Sequence, residues 1–120
     1  MPKRHRGELE AAIMSVLWDA PHELTAQQIR AKFDEPLPAI TTVITVLDRL
    51  RHKGLVARSA TAGQSYVFHA TRSRDDDIAA TMTAALELSP DRALALMRFA
   101  GSLTDSDREF LRRAITNANE

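Results

Sequence analysis

Residues 39–54 read AITTVITVLDRLRHKG, and the polar side chains among them are of the kind that recognise rather than react. On a helix, Thr42, Thr45 and Arg49 share one face at i, i+3, i+7, and Thr41, Thr45, Asp48 and His52 share the adjoining one. A threonine hydroxyl donates to phosphate, and its methyl packs on a thymine methyl. An arginine clamps a phosphate or takes guanine O6 and N7 bidentately. Threonine is otherwise a mediocre helix former, because its branched β-carbon restricts χ1. Three within five positions fit either a surface that enters a nucleic-acid groove or an ordinary solvated face, and spacing alone leaves both open. Asp48 repels phosphate unless it is paired, and Arg51 and His52 are within reach on the same helix.

Other chemistry is thin. There are no cysteines, which excludes disulfides, thiolate chemistry and cysteine-based zinc or iron–sulfur sites. The four histidines, His5, His22, His52 and His69, show no metal-ligand spacing. Asp75, Asp76 and Asp77 point about 100° apart on a helix, so they do not converge on one ion. They read as first-turn acids favoured by the helix dipole. No metal site and no cofactor is expected. With no nucleophile–base pair, no phosphate-binding glycine loop and no convergent acid pair, an enzyme has nothing to stand on.

The elements that must position the polar helix are legible from periodicity. Leu9, Ile13, Val16 and Leu17 make one face of a first helix over 8–18, ended by Pro21. Thr25 and Gln28 have the spacing of a capping box, with Leu24 and Ile29 as its hydrophobic staple, for a short helix to about Phe33. Pro36 and Pro38 mark a turn. The helix of residues 39–54 follows, with Ile40, Val43, Ile44, Val46, Leu47 and Leu50 as its apolar side and Gly54 at the C′ position. Leu55–Ser59 and Ser65–His69 flank a turn at Ala62-Gly63-Gln64 and read as a hairpin. Trp18 and Tyr66 are expected in the core.

From Ser73 the chain is helical throughout. Ser73 caps a helix with Ile78, Met82, Ala85 and Leu86 on its apolar side. Ser89-Pro90 starts another, carrying Leu94, Met97 and Ala100 and closed by Gly101. Thr104 caps a last one, presenting Phe110, Leu111, Ala114 and Ile115. These positions are more apolar surface than three short helices cover alone, so a second copy is expected to bury Ile78, Met82, Leu86, Leu94, Met97, Phe110, Leu111 and Ile115 in a homodimer. A compact monomeric tail is the competing reading. The domains are therefore expected at 1–72 and 73–120.

Helix, helix, helix, hairpin is the order of a winged helix-turn-helix, with residues 39–54 as recognition helix. The fold class expected is mainly α with a small β-hairpin wing, followed by a helical dimerisation domain. With 44% hydrophobic and 27% charged residues, the chain reads as soluble and globular. No run reaches the roughly 18–20 apolar residues of a membrane span, so no membrane insertion is expected. The charged start MPKRHRGELE carries no secretory signal, so a cytoplasmic location is expected. The net charge is zero, but Arg49, Arg51, Lys53 and Arg58 follow one another with no acid after Asp48, which makes a local basic patch.

GELEAAIMSVLWDA, LTAQQI and AITTVITVLDRLRHKGLVAR, followed by a glycine turn and a tyrosine-containing strand, resemble the BlaI/MecI penicillinase-repressor family. The resemblance is strong over 7–70 and looser to about 115. It implies a homodimeric transcriptional repressor on a dyad-symmetric double-stranded DNA operator. It puts Thr41, Thr42, Thr45 and Arg49 on the recognition helix and Arg58, Gly63 and Gln64 at the wing. It also implies release by a sensor peptidase that triggers cleavage just before a phenylalanine, which here is the Arg98–Phe99 bond. The best-known members have Asn where this chain has Arg98, so inefficient cleavage is expected. Gln64 and Val67 stand where relatives often carry basic residues, which weakens the wing as a phosphate clamp. The arm of Lys3, Arg4, His5 and Arg6 either compensates by touching DNA or is a solubilising tail. Two other functions remain open: a winged-helix module that binds protein rather than DNA, and a repressor released by a small ligand.

Overall fold

A computed structural model describes residues 6–118; Lys3, Arg4 and His5 lie outside the described residues. The chain forms two compact units, one up to Asp77 and one from Ile78 onward.

The N-terminal unit is built on α1 (Arg6–Asp19), which buries Leu9, Ile13, Met14 and Leu17. Met14 takes the place expected for Val16, which is half-buried at the edge of the core. The two-residue strand β1 (Leu24–Thr25) leads into α2 (Ala26–Ala31). The capping box is complete: Gln28 N–H donates to Thr25 Oγ1 at 3.1 Å, and Thr25 N–H donates to Gln28 Oε1 at 2.8 Å. Two of the helix's unsatisfied donors are thereby met. Leu24 and Ile29, the staple pair, are both buried in the core.

Helix α3 (Ile40–His52) buries Val43, Val46, Leu47 and Leu50. It ends in a Schellman motif: Gly54 N–H donates to the Arg51 carbonyl at 2.9 Å and Leu55 N–H to the Leu50 carbonyl at 3.0 Å. Gly54 has φ +79°, a left-handed conformation that glycine adopts without a Cβ penalty. That turn aims the chain into β2 (Val56–Ala60) and, after the loop, β3 (Tyr66–Ala70). The sheet is antiparallel in the order β1-β3-β2, with Leu24 opposite Phe68 and Arg58 also opposite Phe68. The third strand, β1, is absent from the sequence reading.

The C-terminal unit carries α4 (Arg74–Glu87) from Ile78 on, α5 (Arg92–Ser102) and α6 (Asp105–Ala118). Ser73 Oγ accepts from Asp76 N–H and Thr104 Oγ1 from Asp107 N–H, both at 3.1 Å, as the caps require. The start of α5 is corrected: Asp91 caps it, accepting from Leu94 N–H at 3.1 Å. Ser89 Oγ instead accepts from Asp91 N–H, so a turn at Ser89-Pro90 presents the aspartate. Gly101 does not close α5 either; it lies within the last turn, and extended Leu103 is the C-cap. Among the described residues no helix is long and apolar enough to cross a membrane.

Candidate nucleic-acid interface

The buried residues of α3 fix which way the rest of it faces. At about 100° per residue, the arc of Val43, Val46, Leu47 and Leu50 points inward, and its opposite pole is Thr41, Thr45, Asp48 and His52. Thr41, Thr42 and Thr45 are all exposed. Thr42 and Arg49 fall on a flank of the outward stripe rather than at its centre.

Ile44 corrects the expected apolar side. It is 44% exposed, because it stands roughly 110° from the centre of the buried arc. Its place outside the buried arc was legible from the helical wheel, had the apolar residues been required to share one arc. Ile40 is half-buried.

Charge on α3 is organised by two internal pairings. Glu10 on α1 holds both cations of one flank, Lys53 Nζ at 2.9 Å from Oε2 and Arg49 Nη1 at 3.4 Å from Oε1. Glu10 and Arg49 are only 15% and 24% exposed at their side chains. The Lys53 hydrogen bond draws the Glu10 carboxyl below the ordinary carboxylate range; burial opposes this, and the charges of Lys53 and Arg49 add to it. Arg49 is thus a braced cation beside Lys53. Sequence reasoning missed Glu10, whose partners lie 39 and 43 residues away. On the other flank Arg51 Nη1 donates to Asp48 Oδ1 at 3.1 Å. His52 Nδ1 donates to the Asp48 carbonyl at 2.7 Å. The Asp48 charge is therefore paired within α3.

The wing is the hairpin of β2 and β3. Its base is core: Val56 and Phe68 are buried. Toward the tip the same sheet face emerges into solvent, where the Arg58 guanidinium lies 3.9 Å from the Tyr66 ring centroid. Such stacking holds the cation in place. Tyr66 is therefore corrected from core to exposed wing residue, and Phe68 fills the place expected for it. Gly63 and Gln64 form the exposed tip. Gln64 has φ 67°, and Thr61 N–H donates to the Ser65 carbonyl at 2.8 Å to close the loop. Trp18 is half-buried against the core and its indole N–H donates to the Arg72 carbonyl at 3.0 Å.

In the C-terminal unit the expected dimer residues are uncovered within the single chain. Ile78, Met82, Leu94, Met97, Phe110, Leu111 and Ile115 are exposed and Leu86 is half-buried. Helices α5 and α6 bury no residue. Arg98 and Phe99 lie in the middle of α5. Among the described residues no group of three or more His, Asp or Glu side chains is arranged to hold a metal ion.

A family model described as penicillinase repressor matches residues 6–117. The transcriptional regulator BlaI of Mycobacterium tuberculosis is 32% identical over 113 residues, spanning 91% of this chain and 81% of the relative, in each of two strains. Among solved structures, a mutant of MepR from S. aureus matches with a TM-score of 0.50 at 17% identity, covering 92% of this chain and 75% of that one. That last likeness is one of fold.

Proposed function

The chain belongs to the penicillinase repressor family, and we propose that this DNA-binding transcriptional repressor, which is not an enzyme, acts as a homodimer on a dyad-symmetric operator. The observation that carries the DNA reading is the outward stripe of α3. Exposed Thr41 and Thr45 stand at its centre, with Arg49 and Lys53 braced by Glu10 on one flank. Small side chains let the helix approach base edges, and flanking cations meet the phosphate backbone. Arg58, Gly63 and Gln64 on the wing supply a second contact with the backbone. Lys3 and Arg4 are proposed as a third.

Homodimerisation rests on the apolar side chains of α4, α5 and α6. Met97 is 70% exposed and Phe110 66%, which a second copy relieves by symmetric burial. A dimer also matches the operator's two half-sites to two recognition helices.

Release from DNA by a sensor peptidase meets an obstacle. The Arg98–Phe99 bond sits inside α5, and a helical bond must unwind before a peptidase takes it in extended form. Slow cleavage there is expected with a peptidase of the type that serves this family, followed by mass spectrometry of the fragments. Rapid release of a fragment beginning at Phe99 would show that the helix is no barrier.

The direct test is fluorescence anisotropy with the duplex upstream of the chain's own gene, against a scrambled duplex, over a salt series. Specific binding by two protomers, with a steep negative slope of log affinity on log salt, is expected. Equal and weak binding to both duplexes and to a pool of genomic fragments would turn α3 toward a protein partner instead.

A further inference from the structure

Ile44 is the apolar member of an otherwise polar stripe. It lies on the flank of the outward stripe opposite Arg49, next to Thr41 and Asp48 on the helix surface, and is 44% exposed. A branched aliphatic side chain there gains nothing from water, and among the described residues it stands outside the buried core, which α3 joins through Val43, Val46, Leu47 and Leu50.

Thr45 sharpens the point. Its Oγ1 donates to the Thr41 carbonyl at 2.9 Å. The hydroxyl proton is spent on the helix's own backbone, so Thr45 has no donor left for a base. What Thr45 offers outward is a methyl group and one acceptor oxygen, and what Ile44 offers is methyl groups alone. The next residue on the stripe, Asp48, has its carboxylate held by Arg51. The outward side of α3 thus carries Ile44 as an apolar edge next to a paired acid, across the central threonines from the braced cations of the other flank.

In the major groove each base pair shows donors and acceptors, and the one apolar group is the thymine C5-methyl. Resting on the repressor reading above, we infer that Ile44, on the edge of α3 opposite Arg49, is a specificity-determining reader of a thymine C5-methyl in each operator half-site. The contact carries no hydrogen bond and no charge, so it selects thymine over cytosine and over the purines without adding to the salt dependence.

The test removes the methyl alone. The full chain is used to select duplexes from a random-sequence library. In an enriched duplex each thymine is then replaced in turn by deoxyuridine, which keeps every donor and acceptor. At one position per half-site the replacement is expected to weaken binding about fourfold, the value of one buried methyl, and about fifteenfold when both half-sites are changed. Ile44→Ala should bind that duplex more weakly and lose this sensitivity, with an unchanged salt slope showing that it still folds and docks. An enriched duplex whose affinity ignores every deoxyuridine overturns the inference and leaves the repressor reading standing. The same holds if Ile44→Ala keeps the full sensitivity. Failure to enrich any duplex overturns both.

Discussion

Glu10 holds two cations of α3, Arg49 and Lys53, on one flank of the helix. An arginine free in solution loses side-chain entropy when it docks on DNA, whereas Arg49 is already braced next to Lys53 by one carboxylate. One of its amino groups is held by Glu10, which favours a single phosphate contact over a bidentate base edge. Arg49→Ala is therefore expected to weaken binding uniformly across duplex sequences, with the salt slope reduced by about one. Relaxed specificity at a single operator position, with a loss of about 1–3 kcal/mol, would instead identify a base contact. Glu10 also predicts a pH dependence. Its carboxyl is held below the ordinary 4.5, so its stabilisation is present above that value and lost as pH falls through the lowered one. Glu10→Gln should cost about 1 kcal/mol at neutral pH. In urea melts the gap between the two proteins should close in acid; a gap constant with pH would assign the loss to packing.

Among the elements, the turn from α3 into β2 does most to place the wing. The Schellman motif needs Gly54 at φ +79°, and a Cβ there would meet nothing within 4 Å. Gly54→Ala is thus a test of backbone conformation free of steric clash. A loss of about 1 kcal/mol or more is expected in chemical denaturation, with weaker DNA binding if the wing is re-aimed. A smaller change would mean that the turn tolerates a different path. The capping box of α2 works at the same scale, since it starts the helix that packs behind α3. Thr25→Ala should cost about 1 kcal/mol by the same measurement.

Among the described residues the molecule divides its labour between a unit with a buried core and a unit whose helices bury no residue. The residues up to Asp77 hold the entire buried cluster, from Leu9 to Phe68. Within that unit Arg72 pairs with Asp77 at 2.7 Å and Arg74 with Asp19 at 3.0 Å. A chain ending at Asp77 is therefore expected to fold, to sediment as a monomer and to bind one half-site weakly. Undiminished binding to a complete operator would remove α4, α5 and α6 from the dimerisation role proposed for them.

What the sequence determined by itself is what neighbouring residues decide among themselves. The capping box at Thr25 and Gln28, the caps at Ser73 and Thr104, the glycine turn at Gly54 and the order of helices and hairpin are all set by hydrogen bonds spanning a few residues. Their signals are short and specific, and those at Thr25, Gln28 and Gly54 lie in the stretches that carry the family resemblance. The tertiary structure decided the rest, because burial depends on which arc of an element its distant neighbours cover. Val43 and Ile44 are adjacent and equally apolar, yet packing covers one and leaves the other facing out. Tyr66 and Phe68 share a sheet face, yet only Phe68 stands close enough to the helices to be covered. Glu10 meets Arg49 and Lys53, and β1 meets β3, only once the chain has folded back on itself. Local chemistry thus marked out α3, and long-range packing chose the side chains it presents.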